Sequence, residues 1–187
     1  MKKQSIYTYT VELNYRNTCT NLKKLSLYHK RSFIMNEYMK KANELAKYSM
    51  DNNKGGCFGS VIVKNGVIVG EGYNTVTSDN DCTCHGEINA IRNACKNLNT
   101  FDLSGCELYT SAYPCPMCLG AIMWSNIKTV YYGATAKDTR NIGFRDDFMY
   151  EWIDNKKEDI LRLIEIDRKE CVEVQEMWLS KNDKIEY

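Results

Sequence analysis

Proline is nearly missing from this chain. Two occur in 187 residues, Pro114 and Pro116, and both flank Cys115. Histidine is as scarce, with His29 and His85 its two copies. No apolar run approaches the roughly 18 residues of a membrane-spanning helix, and the first residues lack the apolar core of a secretory signal. Repeats, low-complexity tracts and internal linkers are also missing. Neither sign of charge dominates: 25 Lys and Arg stand against 24 Asp and Glu, a net charge of +1. The balance is uneven, because residues 1–34 hold seven Lys or Arg and one acid, leaving 18 basic against 23 acidic residues afterwards. That mildly acidic body argues against DNA or tRNA as the principal partner.

Cysteine, by contrast, is plentiful. Nine is an odd number, and without a secretory signal a disulfide framework is not expected. The expectation is a reducing cytoplasm, where cysteines hold metal or perform chemistry. At 21.6 kDa and 43% hydrophobic, the chain suffices for one domain with a real core. Residues 1–34 are polar and basic, with no clear helical or strand period, and read as a disordered arm outside the core; a targeting segment and a basic contact arm are the alternatives. The domain proper is expected over 35–187.

Periodicity predicts a helix from Asn36 to about Asn53, with Tyr38, Ala42, Leu45, Ala46 and Met50 on one stripe. Two β-branched runs joined by Asn65-Gly66 predict a tight hairpin. "HGEINAIRNACKNL" reads as an amphipathic helix and "CELYTS" as a strand. "PMCLGAIMWS" reads as a helix and "KTVYYGA" as a strand. A polar loop then leads to a helix near Asp147–Asp154, a strand at Ile160–Glu165 and a last helix near Val172–Leu179. Strands alternating with helices imply an α/β fold with a mixed sheet covered on both faces.

One constellation carries chemistry. His85 and Glu87 form H-x-E, and Cys115 and Cys118 form P-C-x-x-C 30 residues after His85. Inside a helix, positions i and i+2 point apart, but at a first turn both reach off the tip. Cysteines at i and i+3 share a helix face. Pro116 suits the first helical position, having no N–H to leave unpaired. Pro114 keeps the entering chain extended. The two prolines thus fix where both sulfurs sit, and place Cys115 at the positive end of a helix dipole, which favours thiolate. One His and two Cys leave a tetrahedral Zn2+ with an open position for water, the mark of a catalytic site. Glu87, beside the metal and not needed as a ligand, is placed to handle that water's proton. H-x-E with P-C-x-x-C is a signature of zinc-dependent base deaminases. The competing reading is a closed four-thiolate staple from Cys82, Cys84, Cys115 and Cys118, with no enzyme attached.

"CHGEINAIRNAC" and "LYTSAYPCPMCLGAIMWS" resemble the cytidine deaminase superfamily, and within it the bacterial guanine deaminases. "GGCFGSVIVKNG", "GFRDDFMY" and the final "KIEY" strengthen the second likeness. The resemblance implies a three-layer α/β/α cytidine-deaminase-like fold around a mixed five-stranded sheet, with zinc between two helix N-termini. It implies a homodimer in which the C-terminal segment is swapped, so that Tyr187 caps the partner's pocket. It implies a purine base as substrate, guanine giving xanthine and ammonia. Cytosine, guanosine and tRNA adenosine are the alternative substrates. By the same likeness Phe58 stacks on the base, Asn74 bonds its edge, and Trp124 is a pocket wall. Asp146 assists proton transfer, with Asp147 as its neighbour and rival, and the Gly86 N–H binds the substrate carbonyl. Three positions depart from the pattern: Tyr113 stands where many relatives have glutamate, Gly86 where alanine is usual, and Cys57 where proline is usual.

Overall fold

The structure is a computed structural model, and it describes residues 35–144, 146–156 and 159–183. The elements are α1 (Glu37–Asp51), β1 (Gly59–Lys64), β2 (Val67–Tyr73), a short α2 (Val76–Asp79), α3 (Gly86–Leu98), β3 (Cys106–Ala112), α4 (Pro116–Trp124), β4 (Thr129–Ala134), α5 (Ala136–Asn141), α6 (Asp147–Asn155) and α7 (Arg168–Leu179). The basic segment 1–34 lies outside the described residues. Among the described residues no helix is long and apolar enough to cross a membrane.

Asn36 starts α1 by accepting the N–H groups of Tyr38 and Met39 on its side-chain oxygen. The β1–β2 hairpin turns at Asn65 and Gly66, with φ of 52° and 78°, the left-handed pair that a two-residue turn between twisted strands demands. The sheet order is β2-β1-β3-β4. β1 runs antiparallel to β2 and β3, and β3 runs parallel to β4. The sheet is mixed, as the alternation predicts.

Both faces are covered. On one, Ile62, Leu108 and Cys106 pack with Ala90 and Ala94 of α3 and Ile122 of α4. On the other, Val61, Val63 and Tyr109 pack with Tyr38 and Leu45 of α1. Alternate residues of β1 and β3 serve opposite faces, so β1 reads as an unbroken apolar run after Ser60. Met50, expected on the inner stripe of α1, is instead exposed at the helix end, while Ser49 takes the buried place. The Ser49 hydroxyl donates to the Asn74 carbonyl at 2.6 Å.

The outer edge at β2 is closed by side chains. Asn89, Asn93 and Asn97 of α3 donate through Nδ2 to the carbonyls of Tyr73, Glu71 and Val69 at 2.9, 2.8 and 2.9 Å. Four helical residues advance about 6.0 Å and two strand residues about 6.7 Å, so asparagines at every fourth position keep step with alternate carbonyls.

The fold class stands, but the strand count needs correcting. Four strands are described where five were expected. The segment 160–166 is irregular, and Leu163 and Ile164 are 73% and 71% exposed although they are neighbours in sequence. A β-branched run becomes a strand only when a ladder partner takes its backbone groups. Among the described residues no strand pairs with this segment; Trp152 Nε1 donates to the Leu161 carbonyl at 2.7 Å.

Candidate active site

Two helix starts meet at one point. His85 precedes α3 as its N-cap and Cys115 precedes α4 as its N-cap, with Pro116 in the first turn. Pro114 is fully buried and holds the entering chain. The Nδ1 of His85 lies 3.6 Å from both the Cys115 and the Cys118 sulfur. All three ligand atoms fall within 4.8 Å of one another. An ion about 2.3 Å from sulfur and about 2.0–2.1 Å from nitrogen, bound tetrahedrally, sets those atoms about 3.6 Å apart. The side chains therefore fit zinc as they stand. Cys84 is engaged elsewhere, its thiol donating to Asp81 at 3.1 Å and accepting from Arg92 at 3.4 Å. The His85, Cys115 and Cys118 cluster is the metal-ligand set found among the described residues, which removes the four-thiolate staple.

The side chains of the cluster shift one another's proton affinities. The Cys118 hydrogen bond, and next the His85 imidazole, draw the Cys115 thiol down to about 4. His85 is pulled up, first by its bond to Cys115 and with a smaller contribution from the Asp146 carboxylate. Burial pushes Glu87 up from its ordinary 4.5.

Glu87 sits in the first turn of α3, 6% exposed. Its Oε2 accepts from the Cys118 thiol at 3.5 Å and its Oε1 from the Thr110 hydroxyl at 3.3 Å. Thr110 in turn accepts from the Ser60 hydroxyl at 2.9 Å. This two-strand relay fixes the carboxylate, and the sequence analysis missed it. Ser60, the one hydroxyl in the otherwise apolar "GSVIV", is the local signal of it.

Above the cluster opens a cavity of about 810 Å³, within the usual size for a small-molecule site. His85, Glu87, Cys115, Phe58, Asn74 and Asp146 all line it. Asn74 is buried, and its side-chain oxygen accepts the N–H groups of Gly56 at 3.1 Å and Val76 at 3.2 Å. Its NH2 is thereby left as a fixed donor. Gly55 is required beside it, since a Cβ there would stand 2.0 Å from that oxygen. Phe58 meets Phe144 edge-on, with ring centroids 4.9 Å apart at 82°. Phe144 was not singled out from the sequence, although it stands in the quoted "GFRDDF". Tyr113 also lines the wall, its ring edge-on to Tyr132 at 5.1 Å.

The remaining candidates divide. Gly86 opens α3, so close to the Phe58–Gly59 backbone that a Cβ would meet it at 3.3 Å. Trp124 does not join the cavity of its own chain: it is 72% exposed at the end of α4. Asp146 is the N-cap of α6 and faces the cavity. The side chain of Asp147 and the whole of Tyr187 lie outside the described residues.

Comparison with known proteins agrees with this geometry. Residues 34–134 match the model of the cytidine and deoxycytidylate deaminase zinc-binding region. The guanine deaminase of Bacillus subtilis (strain 168) is 43% identical over 151 residues, covering 80% of this chain and 97% of that protein. The tRNA-specific adenosine deaminase of Buchnera aphidicola subsp. Schizaphis graminum is 35% identical, covering 73% of this chain and 88% of its own. The crystal structure of Bacillus subtilis guanine deaminase superposes with a TM-score of 0.77 at 43% identity, over 82% of this chain and 99% of that one. A guanine deaminase structure from Nitrosomonas europaea gives 0.56 at 33% identity, over 58% and 63%. With its ligand set, fold and sequence in accord, the chain belongs to the zinc-binding cytidine and deoxycytidylate deaminase family.

Proposed function

We propose that the protein hydrolyses guanine to xanthine and ammonia. The observation that carries the reading is a buried carboxylate, Glu87, set beside an imidazole and two sulfurs at zinc spacing on the wall of a cavity that Phe58, Tyr113 and Phe144 also line. The likeness to the Bacillus subtilis enzyme over nearly its whole length supports guanine as the base. His85, Cys115 and Cys118 hold the zinc, which when bound lowers the pKa of a water to about 7 and so supplies the nucleophile.

The rest is done by the chain. Phe58, backed edge-on by Phe144, packs on the flat ring, and the NH2 of Asn74 donates to an acceptor on its edge. The Gly86 N–H, at the start of α3, suits the substrate carbonyl. Glu87 takes a proton from the attacking water and delivers it to the ring nitrogen next to C2. It then takes the proton left on the added hydroxyl and passes it to the departing amino group, which Asp146 holds, so that the C2 carbonyl forms as the C–N bond breaks. Water adds, ammonia leaves, and no redox partner is needed.

Dimerisation and the C-terminal swap belong to the same proposal. Three apolar surfaces support them: Met123 and Trp124 on α4, Leu163, Ile164 and Ile166 in the irregular segment, and Val174 and Met177 on α7. β4 has no partner on its outer side among the described residues. A second copy of the chain offers both apolar cover and a strand, and brings its Tyr187 to the neighbouring cavity. Free thiols at all eight described cysteines support a reducing, cytoplasmic setting.

Ammonia release from guanine, guanosine, adenine, cytosine and a tRNA carrying the target adenosine tests the substrate. Guanine is expected to be turned over fastest, by the full chain and by one lacking residues 1–34 alike. Preference for tRNA, lost with those 34 residues, would move the protein to the tRNA branch.

A further inference from the structure

Thr139 belongs to the wall of the cavity, yet nothing in the reaction described above uses it. The residue is 7% exposed and its backbone is fully engaged. Its N–H donates to the Thr135 carbonyl at 3.1 Å, and its carbonyl accepts from Ile142 and Phe144, each at 3.3 Å. The hydroxyl is the exception: Oγ1 is shut off from solvent and has no hydrogen-bond partner among the described residues.

Other buried hydroxyls here are satisfied. Ser49 bonds two carbonyls, Ser60 and Thr110 bond each other, and Ser125 bonds the Ile122 carbonyl. Leaving one unmet is costly and uncommon in native proteins. Valine would fill the same shape without that cost. A hydroxyl kept at a cavity wall in this condition is one whose partner arrives from outside.

We propose that Thr139 is a substrate-binding residue that helps set base specificity, its hydroxyl bonding the perimeter of the purine away from the reacting carbon. This rests on the reading of the cavity as a purine deaminase site. The location follows from what surrounds it. His85, Glu87 and Cys115 fix the reacting end. Thr139 holds the Phe144 N–H, and Phe144 meets Phe58, so Thr139 belongs to the aromatic part of the wall. One χ1 step exchanges a threonine's hydroxyl and methyl, and helical threonine populates two such rotamers. Such a step re-aims the oxygen without any backbone shift. Being both donor and acceptor, it suits a perimeter where N–H groups and lone pairs alternate.

Thr139→Val keeps the shape and deletes the hydroxyl, while Thr139→Ser keeps the hydroxyl. Both are measured on whichever base of the panel the wild-type protein deaminates. For Thr139→Val, KM is expected to rise about tenfold with kcat within about twofold. Its Tm should be equal to or above wild type, because an unmet polar atom has gone. Thr139→Ser should restore KM. An unchanged KM in Thr139→Val sinks the proposal, as does a fall in Tm accompanied by equal losses in kcat for both variants, which marks a packing role. Failure of guanine in the wild type, with another base active, removes guanine but leaves this comparison readable. Indifference of KM on an active base removes Thr139 alone. No turnover of any base removes both.

Discussion

In the proposed reaction Glu87 carries more of the chemistry than any other single side chain. Burial raises its proton affinity above that of an ordinary carboxylate, the direction that favours taking up a proton. Glu87→Gln keeps the size and the Thr110 contact but cannot shuttle a proton. Turnover is expected to fall by about 10²–10⁴, with zinc content by metal analysis unchanged. Zinc lost together with activity would recast Glu87 as a support for the ligands. Tyr109 gives a second test at this scale. Burial first, then its hydroxyl bond to Glu107 at 3.1 Å, pushes its phenol from 10.0 up to about 12. The folded protein therefore holds that proton longer than the unfolded chain. The associated stability is whole below pH 10 and shrinks as the pH climbs from about 10 towards 12. Urea midpoints at pH 9 and pH 11 should diverge less in Tyr109→Phe than in wild type; equal divergence would place the effect on other groups.

Among the elements, α3 does two jobs with two sets of side chains. Its first turn presents His85 and Glu87 to the metal, and its outer flank sends three asparagines to the β2 edge. Asn93→Ala removes one of those bonds and is expected to cost about 1 kcal/mol in denaturant unfolding. Removing all three uncovers a row of strand carbonyls, and concentration-dependent association should appear in sedimentation. A triple variant that stays as dispersed as wild type would show that the edge needs no such cover. The register of these bonds was not legible in the sequence. Asn89, Asn93 and Asn97 are spaced for a helix face, but nothing local says that a strand edge lies opposite. α5 was missed for a different reason. Its capping box, Thr135 and Asp138, is a local signal that was readable, but six residues are too few for a hydrophobic period. The strand expected at Ile160–Glu165 errs the other way, because its local pattern is good but no strand among the described residues pairs with it.

At the scale of the whole molecule, the question is where one chain's site ends. Apolar side chains on α4, on 161–166 and on α7 stay exposed in the single chain, and such surface calls for cover. If Tyr187 completes the neighbouring cavity, two crippled chains should rescue each other. Co-expressed Glu87→Ala and a chain lacking Tyr187 form mixed dimers in which one cavity has both groups, so roughly a quarter of wild-type activity is expected from random pairing. Absence of rescue, with mixed dimers present by mass, would confine the site to one chain. The sequence by itself determined the proposed zinc-ligand set, the helix starts that bring it together and the layered α/β plan, because spacing, proline position and hydrophobic period are local properties. Only the tertiary structure decided which hydroxyls steady Glu87, that Phe144 faces Phe58 and that, among the described residues, the Thr139 hydroxyl is unmet and 160–166 finds no ladder. Each of those depends on which distant segments come into contact, and contact across the fold is not encoded in any one stretch of chain.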